Sequence, residues 1–104
     1  MIITTTSAIS GKEITNYLGV VTGETIFAIN AVRDFFASIR DIVGGRTNSY
    51  EEVLAKARTE ALNEMQHRAE ALGADAIVGV HISYESLGGN ATMLMVCCTG
   101  TAVK

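Results

Sequence analysis

Between residues 50 and 72 apolar side chains return at helical intervals, at Val53, Leu54, Ala57, Ala61, Met65, Ala69 and Leu72. This spacing gathers them on one stripe of a long α-helix. Ser49, with Glu52 three positions later, has the form of a capping box, in which each side chain satisfies a backbone N–H of the first turn. Gly73 supplies the stop, because glycine takes the left-handed conformation that ends a helix. Glu64 and Arg68 stand one turn apart on the polar side and predict an ion pair of about 0.3 kcal/mol. A shorter helix is expected over residues 31–42, from Val32, Phe35, Phe36, Ile39 and Ile42, ending at Gly44 and Gly45.

After Gly73 the pattern alternates. Ala76, Val78, Val80, Ile82 and Tyr84 interleave with Ile77, Gly79, His81, Ser83 and Glu85, which predicts a strand. Residues 86–91 carry the turn formers Gly88, Gly89 and Asn90, so residues 92–103 read as the returning strand of an antiparallel hairpin. Upstream, the β-branched stretch 14–27 predicts another strand with Gly19 and Gly23 as candidate bulges, and residues 2–6 a short opening one. The elements add up to an α+β fold, a mostly antiparallel three- to four-stranded sheet with one long and one short helix.

In the last strand Leu94, Val96 and Cys98 point one way, and Met93, Met95 and Cys97 point the other. Both sides are apolar, whereas a strand with one wet face is polar at alternate positions. Helices on one side of a small sheet cover one face, so the second face is expected to pack against copies of the chain. The competing reading is a Met-rich core enclosed on both sides by the two helices.

Composition sharpens this expectation. Charged residues make up 18% of the 104 positions, below the usual share of about 25%, and apolar residues 48%, which leaves apolar surface to cover. The length suits one domain over residues 1–104, and no Pro-rich or repeated stretch divides it. The net charge is −3, and the eight Lys and Arg residues are scattered from Lys12 to Lys104, so no nucleic-acid partner is expected. Residues 1–10 lack the basic start and apolar run of a signal peptide, and no segment approaches the roughly 20 apolar residues of a membrane span. A cytoplasmic location without a membrane partner is expected. Adjacent Cys97 and Cys98 make a poor disulfide pair, which suits a reducing compartment.

Soft-metal ligands would come from Cys97, Cys98, His81 and His67. Neighbouring strand residues face opposite ways, so the two thiols do not share an ion, and no C-x-x-C or H-x-x-x-H pair occurs. A turn centred near Gly88 and Gly89 would set His81 opposite Cys97 on one face, where a transition metal ion is the cofactor the pair would hold. The plainer reading makes the cysteines small buried residues, His81 a hydrogen-bonded strand residue and His67 a solvated one.

Gly44, Gly45, Arg46, Thr47, Asn48 and Ser49 lead into the long helix, whose free N–H groups attract negative charge. A small anionic ligand at Arg46, Thr47, Asn48 and Ser49 is the corresponding expectation. The stretch lacks the spacing of a P-loop or a dinucleotide fingerprint, and a helix end, turn and cap account for it equally well. Glu51 and Glu52 suit the dipole of the first turn, no G-x-S-x-G occurs, and no catalytic residue is assigned.

The blocks Val21-Thr22-Gly23-Glu24, Asp41-Ile42-Val43-Gly44-Gly45-Arg46, Ser49-Tyr50-Glu51, Leu72-Gly73-Ala74-Asp75-Ala76-Ile77-Val78-Gly79 and Gly100-Thr101-Ala102-Val103 together resemble the YbjQ-like family of bacterial proteins. The resemblance spans nearly the whole chain. It implies a fold similar to the dodecin-type subunit, assembled as a homo-oligomeric ring with a pentamer favoured, and a heavy-metal-binding label. It implies no catalytic residues and no role for Gly44, Gly45 and Arg46. The expected function is a noncatalytic homo-oligomeric binding or scaffold protein with ligand pockets at subunit boundaries near Arg46. The alternative is a heavy-metal-binding or metal-sensing protein using Cys97 with His81, and an enzyme is the least favoured reading.

Overall fold

The computed structural model describes residues 1–28, 48–87 and 93–104. Their elements are β1 (Ile2–Ile3), β2 (Tyr17–Ala28), α1 (Asn48–Ala71), β3 (Ala76–Leu87) and β4 (Met93–Val103). The strands form one sheet in the order β1-β3-β4-β2. It is mixed: β4 runs antiparallel to β3 and β2, whereas β1 lies parallel to β3. The α+β class and the hairpin are therefore as the pattern predicts. The short helix expected over residues 31–42 and the glycines of the hairpin turn lie outside the described residues.

Helix α1 lays Val53, Ala57, Ala61, Met65 and Ala69 onto the sheet, a buried residue at every fourth position. Ala57, Ala61, Met65 and Ala69 pack with Val21 of β2, Ile77 and Val80 of β3, and Val96, Cys98 and Ala102 of β4. Alanine at most of these positions lets the helix backbone come close. At Gly23 of β2 it comes so close that a Cβ would collide with the Ala61 carbonyl oxygen and sit 2.9 Å from the Met65 nitrogen. Gly23 is thus a contact point and not the bulge its sequence position suggests, while Gly19 does mark a register shift in β2.

The helix ends as predicted. Ala74 N–H donates to the Ala69 carbonyl at 3.1 Å and Gly73 N–H to the Glu70 carbonyl at 2.9 Å, the paired bonds of a Schellman motif. Gly73 has φ 83°, the left-handed conformation that this motif requires. Leu72 falls beyond the last turn and is exposed, so the apolar stripe closes at Ala69. At the other end the helix begins at Asn48, which puts Ser49 inside the first turn instead of ahead of it.

Strand β3 contains the feature that most changes the reading of its faces. Pairing with β4 shifts between Val78 and His81, and Gly79 in the gap has φ 62°. A glycine in this conformation is the mark of a bulge that inserts one residue and reverses the alternation beyond it. Ile77, Val80 and Ile82 therefore pack toward α1, while Ala76 and Val78 turn to the opposite face. There they meet Val103, Ile9 and Ile14 in a second, smaller core. Gly100 makes room at the bulge, since a Cβ on it would lie 2.6 Å from Ile77 Cγ2. The bulge also binds the opening segment: Gly79 N–H donates to the Thr6 carbonyl and Val80 N–H to the Thr4 carbonyl. The regular strand pairing of β1 stops at Ile3 for this reason, short of the expected residues 2–6.

Candidate functional site

The sheet face turned away from α1 carries Met93, Met95 and Cys97 of β4, and its upper part has no covering element among the described residues. Met93 is 44% exposed, and on the same face Val20 and Ile26 of β2 are 76% and 55% exposed. The flanking strands interleave polar groups, so the apolar stripe of β4 runs between Thr22 and Glu24 on one side and His81, Ser83 and Glu85 on the other. The face is mixed, less uniformly apolar than β4 alone suggests.

Cys97 pairs with Glu24 on β2 and with Ser83 on β3. Partial burial pushes its thiol above the ordinary cysteine value, and the nearby Glu24 and Glu85 carboxylates push it further by disfavouring a second negative charge. His81 pairs with Thr99, not with Cys97, because the β3–β4 register sets Ser83 opposite Cys97. The two candidate ligands share the open face but stand one strand pair apart. The acidic neighbours of Cys97 escaped the sequence reading; the alternation that put Cys97 on this face carried that information only once the β2 register was known.

Cys98 serves a different purpose. It is fully buried, and its thiol donates to the Ala61 carbonyl at 3.2 Å and to the Gly23 carbonyl at 3.5 Å. Burial is the leading cause that raises this thiol too, with Cys97 next and a hydrogen bond with the Gly23 backbone opposing. It joins β4 to α1 and β2; of the two cysteines that the plainer reading buries, Cys98 is buried and Cys97 only partly so. His67 is exposed on α1.

Arg68 reaches from α1 around the outer edge of β2. One guanidinium nitrogen donates to the Thr22 carbonyl at 2.8 Å, to Thr22 Oγ1 at 3.1 Å and to Glu24 Oε2 at 3.3 Å. The other nitrogen pairs with Glu64, the helical ion pair expected from the spacing. Of the anion-site residues, Asn48 and Ser49 open α1, while Arg46 and Thr47 lie outside the described residues.

The family model described as "Putative heavy-metal-binding" matches residues 1–104, the whole chain. The chain belongs to the YbjQ family. A solved protein of unknown function from Pediococcus pentosaceus ATCC 25745, assigned to the DUF74 family, is 21% identical to it. The match covers 99% of this chain and 95% of that one with a TM-score of 0.58, which establishes the likeness of fold. For a metal, the test lies in the donors. A tetrahedral soft-metal site takes about four ligands with deprotonated thiolates. Among the described residues of this YbjQ-family chain no three His, Cys, Asp or Glu groups converge, and the Cys97 thiol is held toward its protonated form. The described residues of one chain do not make up a complete metal site. No helix among the described residues is long and apolar enough to cross a membrane.

Proposed function

We propose that the protein is a noncatalytic homo-oligomeric binding or scaffold protein whose copies pack on the open face of the sheet. The observation that carries this reading is the exposure of Val20 and Ile26 on β2 and of Met93 on the neighbouring β4, all on the sheet face away from α1. Large apolar side chains exposed together on one sheet face mark a candidate interaction site. Identical partners generate closed assemblies by symmetry, and a ring, with five copies as the favoured size, is the form proposed. Small anions bind, in this reading, where Arg46, Thr47, Asn48 and Ser49 lead into α1, against the free N–H groups of its first turn.

Sedimentation at micromolar concentration tests the assembly. The wild type is expected to run as a multiple of 11.0 kDa, and Ile26→Glu and Met93→Glu to shift it toward the protomer. A folded wild-type protomer at that concentration would end the reading. Anion binding is checked separately, since ligand at about 100 times its Kd adds about 2.7 kcal/mol and raises the melting temperature.

A second reading follows from the family description together with the placement of Cys97 and His81 on the open face. Here a transition metal is held between copies, each contributing Cys97 and His81, so that assembly brings together more donors than the described residues of one chain do. Elemental analysis of protein purified without chelator decides this. Stoichiometric zinc, copper or nickel that disappears in Cys97→Ser supports it, and metal-free wild type rules it out.

A further inference from the structure

Strand β2 ends the sheet on its side among the described residues, so one row of its backbone groups has no strand partner. In an antiparallel pair the N–H and C=O of one residue point the same way, and successive residues point to opposite sides. The Thr22 carbonyl accepts from Arg68 and not from β4. Thr22 therefore belongs to the outward row, and Val20, Glu24 and Ile26 belong with it. Long unpaired edges are templates for pairing with another chain. β2 runs for 12 residues without a lysine or proline to blunt it.

The row complements itself in one register. Two antiparallel copies of β2 related by a two-fold axis through Gly23 set Val20 opposite Ile26 and Thr22 opposite Glu24. Apolar then meets apolar, and hydroxyl meets carboxylate. The neighbouring registers either oppose Glu24 to Glu24, like charge on like charge, or set Val20 against Glu24. In the favourable register the Thr22 carbonyl of one copy accepts from the Glu24 N–H of the other, and Arg68 now occupies that position. We propose that the outer edge of β2 is a latent interface for the same edge of a second copy, and that the Arg68 guanidinium keeps it closed.

The arrangement of the guanidinium fits this role. Glu64 on the helix holds it from behind, while Thr22 and Glu24 hold it at the edge, so it fills the centre of the row. It blocks the strand nearest the pseudo-axis, where one obstruction prevents all the bonds on both sides from forming in register. The edge shares the Val20 and Ile26 side chains with the open face but pairs through the β2 backbone, so the proposal does not depend on assembly through that face.

Residue-resolved amide exchange and sedimentation of the full chain test it in Arg68→Ala and Glu64→Ala. In wild type the amides of Val20, Thr22, Glu24 and Ile26 exchange freely. In Arg68→Ala they gain about ten- to hundredfold protection as protein concentration rises, and the main species doubles in mass relative to wild type. Glu64→Ala, which only loosens the guanidinium from a half-buried helix position, moves both readouts the same way by less and serves alone if Arg68→Ala does not fold. Protection of this row already in wild type, or neither protection nor mass doubling in the variants, overturns the proposal. Heterogeneous larger particles overturn the two-fold register. A wild-type protomer would remove the open-face reading and leave these outcomes unchanged.

Discussion

The Cys98 thiol lies 3.2 Å from the carbonyl oxygen of Ala61, joining the centre of β4 to the turn of α1 directly above it. The contact exists because Gly23, beside Cys98 on β2, presents no Cβ to the helix. A side chain there would strike helix backbone, which has no rotamer to yield. Gly23→Ala is therefore expected to cost about 3 kcal/mol, as overpacking against a rigid neighbour does. Urea unfolding measures it, and a loss below about 1 kcal/mol would mean that α1 shifts freely over the sheet.

The adjacent cysteines separate cleanly by the same geometry. Cys98→Ala removes a fully buried sulfur and leaves a small cavity between helix and sheet, at a cost of about 1–2 kcal/mol. Cys97→Ala, on the half-exposed face, should stay within about 0.5 kcal/mol. Paired denaturation curves of the two variants check the difference. Equal losses would place both thiols in comparable environments and contradict the burial.

Much of this architecture is written locally in the chain. The α1 stripe, its Gly73 stop and the Glu64–Arg68 pair each depend on residues within a turn or two, and all are found where the spacing puts them. The faces of β3 could not be read this way. A glycine in an alternating strand looks the same whether it continues the pleat or forms a bulge, and the bulge at Gly79 moves Ala76 and Val78 across the sheet. The β1–β3 pairing spans two residues per strand and rests on chain contacts far apart in sequence. The candidate metal pair was legible as far as its face, because parity survives a shift of the turn centre, but the partner of Cys97 was not. Arg68 acts across a separation of 46 residues from Thr22, so only its helical partner was visible beforehand.

Alkaline titration should expose the setting of the two thiols. Burial first, then the Glu24 and Glu85 charges, raises Cys97, and burial likewise leads for Cys98. Each thiol holds its proton more tightly in the folded chain than in the unfolded one. The resulting stability is complete below the unfolded thiol range and declines as pH rises through the folded values. Thiolate absorbance, read as the difference between wild type and Cys97→Ala, should rise at higher pH than in the urea-unfolded protein. Glu85→Gln should bring that rise to lower pH, and coincident folded and unfolded curves would exclude the assigned environment.

The second core gives the last expectation. Ile9 and Ile14 pack on Ala76, Val78 and Val103, and they do so because the Gly79 bulge has turned Ala76 and Val78 away from α1. Backbone bonds hold the segment in place: Thr15 N–H donates to the Lys104 carbonyl at 2.8 Å, and Lys104 N–H to the Asn16 carbonyl at 2.9 Å. The nearby Lys12–Asp75 pair, at 3.5 Å, is about half exposed on both sides and should contribute little. Ile14→Ala, from a half-buried position, is expected to cost about 1–2 kcal/mol, and Lys12→Ala less than about 0.5 kcal/mol. Thermal and urea unfolding of the two variants compare apolar packing with charge directly. A larger loss from Lys12→Ala would show that the ion pair, and not the isoleucines, fastens residues 9–16 to the sheet.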